Sequence, residues 1–185
     1  MLKGFLMHNR AIAVYLFLAL AASASLASAA APADFTVATA NRSSTFTLSK
    51  ARGKFVALHF LLKTECPICM KHTRDYAQKM PRLPQVEHVF MKPDAEPAVA
   101  QWEQKLKAST GITAPPIYRD ENAALADAFG IPNGYSFHGQ TVHYPALVLL
   151  DKNGKEAFRY VGKATNDRFS FEQLEQKLKE LEAKP

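Results

Sequence analysis

The chain is poor in cysteine, in tryptophan and in blocks of like charge. Its 185 residues contain two cysteines and one tryptophan. Two cysteines cannot make the multi-bridge framework of a small secreted scaffold. With no second C-x-x-C, they also leave a four-ligand zinc site half built. Its 23 Lys and Arg residues against 17 Asp and Glu give a net charge of +6, but the two signs are interleaved along the sequence. Interleaved charge indicates solvated faces, so no nucleic-acid partner is expected. No internal repeat is visible. The apolar run Ala11–Ala22 falls short of the roughly 20 residues that a membrane-spanning helix needs.

That run follows Lys3 and Arg10 and leads into the small-residue stretch Ala27-Ser28-Ala29, the order of parts in a secretory signal peptide. Residues 1–29 are expected to be cleaved, leaving residues 30–185 as one domain. The leader holds two bases and no acid, so the mature charge is about +4. No cysteine follows the apolar run to accept a lipid. A domain of about 156 residues can bury a full core and needs no disulfide to fold.

Element by element, Phe35–Ser49 is an extended entry broken by a polar turn. The near-continuous apolar stretch "GKFVALHFLL" suits a buried central strand. Pro67–Met80 has helical periodicity, and Val86–Met91 is a second strand. "EPAVAQWEQKLKAST" is a helix closed by Gly111. "PPIYRD" is a short strand, and Asp120 caps a helix ending at Gly130. Residues 130–144 are expected to be a long loop, with Tyr135, Phe137 and His138 candidates for substrate choice. "PALVLLDKNGKEAFRYVG" has the form of a hairpin turning at 151–154, and Ser170 with Gln173 opens a final helix as a capping box. The order predicts an α/β fold, a mixed central sheet with helices on both faces. Parallel crossovers should dominate, with one antiparallel hairpin at an edge.

The two cysteines sit in "TECPIC", where a strand runs straight into a helix. Cys66 is expected at the N-cap, Pro67 at the first helical position and Cys69 in the first turn. Helix-start N–H groups favour a thiolate, so Cys66 is the expected nucleophile and Cys69 the resolving thiol. A permanent disulfide would close a loop too short to add much stability.

Together with "PPIYRDENAALADAFGI" and "YPALVLLDKNGKEAFRYVG", the stretch "GKFVALHFLLKTECPIC" resembles the thioredoxin-fold redoxins exported to the bacterial periplasm. These include the cytochrome-c-maturation type and the AhpC/TSA-like superfamily, and the likeness spans roughly residues 34–183. It implies a thiol-disulfide oxidoreductase acting on protein thiols and disulfides. That protein would be a periplasmic monomer, served by a membrane redox partner if it is a reductant. It needs no cofactor. The resemblance also implies a cis peptide before Pro145, with the Tyr144 backbone left free to pair with substrate.

Two positions depart from that pattern. Glu65 replaces the usual aromatic residue before the first cysteine, and a carboxylate there would raise the Cys66 pKa while facing substrate. Phe60 stands where thioredoxin keeps a buried acid, so proton transfer would fall to His59, Lys63 or Glu65. Peroxiredoxins share the Cys-Pro pair but also need a hydroxyl three residues before the cysteine, where this chain has Lys63 and displaces Thr64 by one. Sco-type copper chaperones are the remaining resemblance, with Cys66, Cys69 and His143 as the ligand set and copper as the cofactor. His72 and His138 are expected at the rim of the site.

Overall fold

β3 (Phe55–Phe60) is buried along its whole length, as a strand covered on both faces must be. In this computed structural model, residues 32–111, 113–164 and 166–183 are described; the expected leader lies outside them. β3 pairs in parallel with β4 (Val86–Lys92), which pairs in parallel with the short β5 (Ile117–Arg119). On its other side β3 pairs antiparallel with β8 (Ala146–Leu150), and β8 continues antiparallel into β9 (Glu156–Val161). The sheet order is β5-β4-β3-β8-β9. Antiparallel pairing therefore reaches the centre of the sheet, rather than being confined to an edge hairpin as the sequence suggested. The reason is that β8 returns beside β3 without a helical crossover between them.

Alternation along the strands sorts their side chains into two clusters. Phe55, Ala57, Phe90, Leu147 and Leu149 face α1 (Pro67–Lys79), α2 (Glu96–Thr110) and α4 (Phe171–Glu182), meeting Tyr76, Trp102 and Leu174. Val56, Leu58, Phe60, Val89, Met91 and Val148 face the other way. They pack under Phe129, Ala126 of α3 (Ala124–Ala128) and the hairpin of β1 (Thr36–Ala38) with β2 (Thr45–Thr47). Each of these large apolar side chains contributes on the order of 1.5–3 kcal/mol when fully buried.

Local signals stop and start the helices. Gly111 takes the left-handed conformation that closes α2. The Asp120 carboxylate accepts from the amides of Leu125 and Ala126 at 2.7 and 3.0 Å. Ser170 and Gln173 exchange the two bonds of a capping box. Residues 130–144, expected as a loop, instead fold into a hairpin of β6 (Asn133–Phe137) and β7 (Gln140–His143). Its two-residue turn is His138-Gly139, both at positive φ (47° and 73°), the backbone that matches strand twist.

Candidate active site

The site begins where β3 hands over to α1. The amide of Leu61 still donates to Met91 O at 3.0 Å, and the chain then turns, the Cys66 amide donating to Lys63 O at 3.1 Å. Lys92, at the end of β4, is fully buried and donates from Nζ to Leu62 O (2.7 Å) and Lys63 O (3.0 Å). Its ammonium also lies 4.5 Å from the centre of the Trp102 ring. Lys92 therefore pins the turn that carries the first cysteine.

Cys66 is the N-cap of α1 and Pro67 its first residue, as the sequence requires. The thiols are free, with Sγ atoms 2.7 Å apart, and the Cys69 amide donates to Cys66 Sγ at 3.2 Å. Arg168 places Nη2 3.8 Å from Cys66 Sγ and 3.6 Å from Cys69 Sγ. The loop holding that arginine is itself tied down. Asp167 accepts from the hydroxyl of Tyr160 and from the Lys163 amide. Arg168 Nη1 donates to Ala164 O and Asp167 O.

These groups make the pair titrate as one unit. Burial opposes ionisation of Cys69, but the hydrogen bond with Cys66, together with Lys92 and Arg168, outweighs it and lowers that thiol to about 5. Cys66 moves the other way, held above the ordinary thiol range by the hydrogen bond with Cys69 and then by burial. One negative charge is thus shared between two sulfurs beneath two cations. The expectation for Cys66 is corrected in its cause: the Cys69 contact and burial raise it, rather than Glu65. Burial lowers Lys92, and the neighbouring thiols partly offset that. Burial also raises Asp94.

Glu65 is exposed and stands between two grooves that share Thr64, Glu65 and Ala98. One groove, about 550 Å³, includes Cys66; the other, about 540 Å³, includes His143. The Thr64 hydroxyl lies 3.5 Å from Asp94 Oδ1. His143 is buried, and its Nδ1 hydrogen-bonds to the carbonyl of Tyr144 at 2.7 Å. Among the described residues, no three His, Cys, Asp or Glu side chains converge so as to hold a metal, and Cys66, Cys69 and His143, the alternative copper set, are not brought together.

Two expectations about the loop before β8 are also corrected. The peptide before Pro145 is trans, since no cis bond occurs among the described residues. The Tyr144 backbone is not free: its amide donates to Pro132 O at 2.8 Å and its carbonyl is taken by His143. His143 at the end of β7 and Pro132 just before β6 thus take both groups. Pro145 nonetheless borders the same small cavity as His72 and Arg168. Its carbonyl accepts the Gly162 amide at 2.8 Å.

Sequence reasoning missed one assembly. His59 on β3 joins His72 on α1 (Nδ1 to Nε2, 3.3 Å) and His88 on β4 (Nε2 to Nδ1, 3.1 Å), and Phe90 stacks on His59 at 4.2 Å. His72 thus lies inside a packed row rather than at the rim, whereas His138 is exposed. Burial is the first cause lowering all three, leaving His72 at about 3, His88 at about 4 and His59 well below its usual range. His88 Nε2 is buried without a partner. The available signal was position: His59 and His88 occupy places in the strand alternation that otherwise take core residues.

The profile of the AhpC/TSA family matches residues 28–157. No curated protein matches. Among solved structures, the chain is similar to the reduced 2-Cys peroxiredoxin of Plasmodium vivax (17% identity, TM-score 0.65), covering 83% of this chain and 94% of that one. It is also similar to MTB dsbF in its mixed oxidized and reduced forms (21%, TM-score 0.60), covering 81% and 98%. A third likeness is to a secreted Mycobacterium tuberculosis disulfide oxidoreductase described as homologous to E. coli DsbE (18%, TM-score 0.56), covering 79% and 95%. The shared architecture is the thioredoxin-like fold.

Proposed function

The chain belongs to the AhpC/TSA family of redoxins, and on that premise we propose that it is a thiol-disulfide oxidoreductase working through Cys66 and Cys69 on protein disulfides. The observation that carries this reading is the free pair, 2.7 Å apart at a helix start, sharing one charge beneath Arg168 and Lys92. Cys66 borders an open groove, whereas Cys69 has no exposed surface and does not border it. The groove beside Cys66 supports its role as the attacking thiol, with Cys69 as the resolving one.

With the shared charge on Cys66, its sulfur attacks one sulfur of a substrate disulfide. A new S–S bond forms as the old one breaks, and the first substrate thiolate departs and takes a proton. Cys69, losing its proton, then attacks Cys66 Sγ and expels the second substrate thiolate. Two electrons have moved from the pair to the substrate; the reverse sequence oxidises a substrate dithiol. Arg168 and Lys92 offset the buried negative charge in each direction.

The peroxidase reading gains less from the geometry, because the hydroxyl nearest in sequence, on Thr64, lies by Asp94. The copper reading lacks its third ligand. We place the domain in the periplasm after removal of residues 1–29. As a reductant it would be recharged there by a membrane partner.

Insulin-disulfide reduction tests the proposal. Cys66→Ser is expected to abolish it, and Cys69→Ser to accumulate a substrate-linked mixed disulfide. Undiminished turnover by Cys66→Ser, or rapid hydrogen peroxide consumption with no insulin reduction, would overturn the reading. Export is tested by N-terminal sequencing of the protein from a periplasmic extract, with Ala30 expected first.

A further inference from the structure

The cations of α1 and of the turn that follows it differ in how they are used. On the flank toward α4, Lys79 pairs with Asp75 and Glu172, and Arg82 with Glu175, all at 2.6–2.7 Å. On the flank toward α2, Lys71 and Arg74 line the groove beside Cys66, and Lys105 of α2 faces them across it. None of these three has a carboxylate partner among the described residues. The groove has an apolar component in Pro67, Met70 and Trp102, and Glu65 is its one acid. At about 550 Å³ it is large enough for several residues of extended chain, and it opens on the attacking sulfur.

Resting on the thiol-disulfide reading above, we propose that this groove is the substrate subsite and selects a protein segment in which acidic residues flank the disulfide. An acidic segment supplies the counter-charges that Lys71, Arg74 and Lys105 lack, while its apolar side chains cover Met70 and the edge of Trp102. Charge of this kind acts first on encounter, raising the association rate of the matching substrate and rejecting a basic one. Glu65, beside Cys66, acts in the opposite sense, discouraging an acid immediately next to the reacting sulfur. The selected acids therefore lie a few residues away from the cysteine.

The test uses disulfide-linked model peptides identical except for Glu, Gln or Lys at positions two to four residues from the cysteine. With the full mature chain at low salt, kcat/KM is expected to fall from Glu to Gln to Lys, about tenfold per step. The spread should shrink as salt shortens the screening length. Lys71→Glu with Lys105→Glu, both at exposed positions, should invert the order of the three peptides. Arg74→Gln alone should narrow the spread and serves as a milder second variant.

Equal rates for all three peptides, or an unchanged order in the reversed variant, would overturn the proposal. Turnover of oxidised glutathione at the rate of the Glu peptide would assign the groove to a small anionic disulfide instead. The subsite is also read without chemistry. Cysteine-free Glu peptide should perturb the emission of Trp102, the chain's one tryptophan, and bind at least about tenfold more weakly to the reversed variant. If no disulfide is turned over but this binding is seen, the exchange reading fails and the acidic-segment site stands; if turnover proceeds without it, the site fails alone.

Discussion

The two faces of the sheet follow different rules. Beneath α3 and the β1–β2 hairpin, Val56, Leu58, Phe60, Val89, Met91 and Val148 make a dry layer. Beneath α1, α2 and α4, the same strands alternate apolar residues with His59, His88 and Lys92, and both thiols lie there. One face holds the fold together by area, and the other spends part of its packing on charge and hydrogen bonds. Substitutions on the two faces should therefore separate stability from thiol chemistry.

The largest effect is expected from acid, acting on the polar face alone. His59, His72 and His88 have folded pKa values below the unfolded value of about 6.5, so the unfolded chain binds more protons in the interval down to about 4. Their contribution is complete above about pH 6.5 and is lost as pH falls. The slope is up to roughly 1.4 kcal/mol per pH unit for each histidine. Thermal melts should show Tm dropping steeply below pH 6, and His59→Phe, which keeps the stack on Phe90, should flatten that slope by about a third.

Leu58→Ala, on the dry face, should cost about 2–5 kcal/mol in denaturant melts while leaving thiolate absorbance against pH unchanged. If the thiol titration also moves, the separation of the faces fails.

Gly162→Ala probes a point where the comparison is sharpened at the sheet edge. A Cβ there would come within 2.2 Å of Asp167 O and 3.1 Å of Pro145. Backbone must move, at about 1–3 kcal/mol, and the displaced Asp167 adjoins Arg168. Disulfide exchange should slow in step with the loss of stability.

The smallest change in stability is expected for Lys92→Met. It leaves the Leu62 and Lys63 carbonyls without their donor but removes a buried charge, for a net of about 1 kcal/mol or less. The first proton of the dithiol should nevertheless leave at higher pH, read by thiolate absorbance. Stability and chemistry would then part in the opposite sense to Leu58→Ala.

Features governed by neighbouring residues were legible in the sequence. The strand-to-helix junction at Cys66, the Ser170 capping box, the Gly111 stop and the 151–154 turn each depend on a few adjacent positions. The β6–β7 hairpin was missed because its turn is His138-Gly139, where histidine takes the positive φ more often given to Asn or Asp. The histidine row draws on β3, β4 and α1, so its hydrogen bonds arise only once the sheet register is set. Whether the Tyr144 backbone is free likewise depends on partners outside the local pattern, twelve residues away at Pro132 and next door at His143. Arg168 reaches the thiols from 99 and 102 residues along the chain, a distance that no local pattern carries.

That last distance has a consequence in time. As the chain emerges from its N-terminus, β3 stays an open edge until residues 146–150 pair with it. The dithiol waits longer still, for Arg168 and for the bond from the Tyr76 hydroxyl to Phe169 O, which seals α1 against the segment leading into α4. Until the last turns are made, the cysteines have Lys92 but lack Arg168 and that cover, and the reagent is completed last.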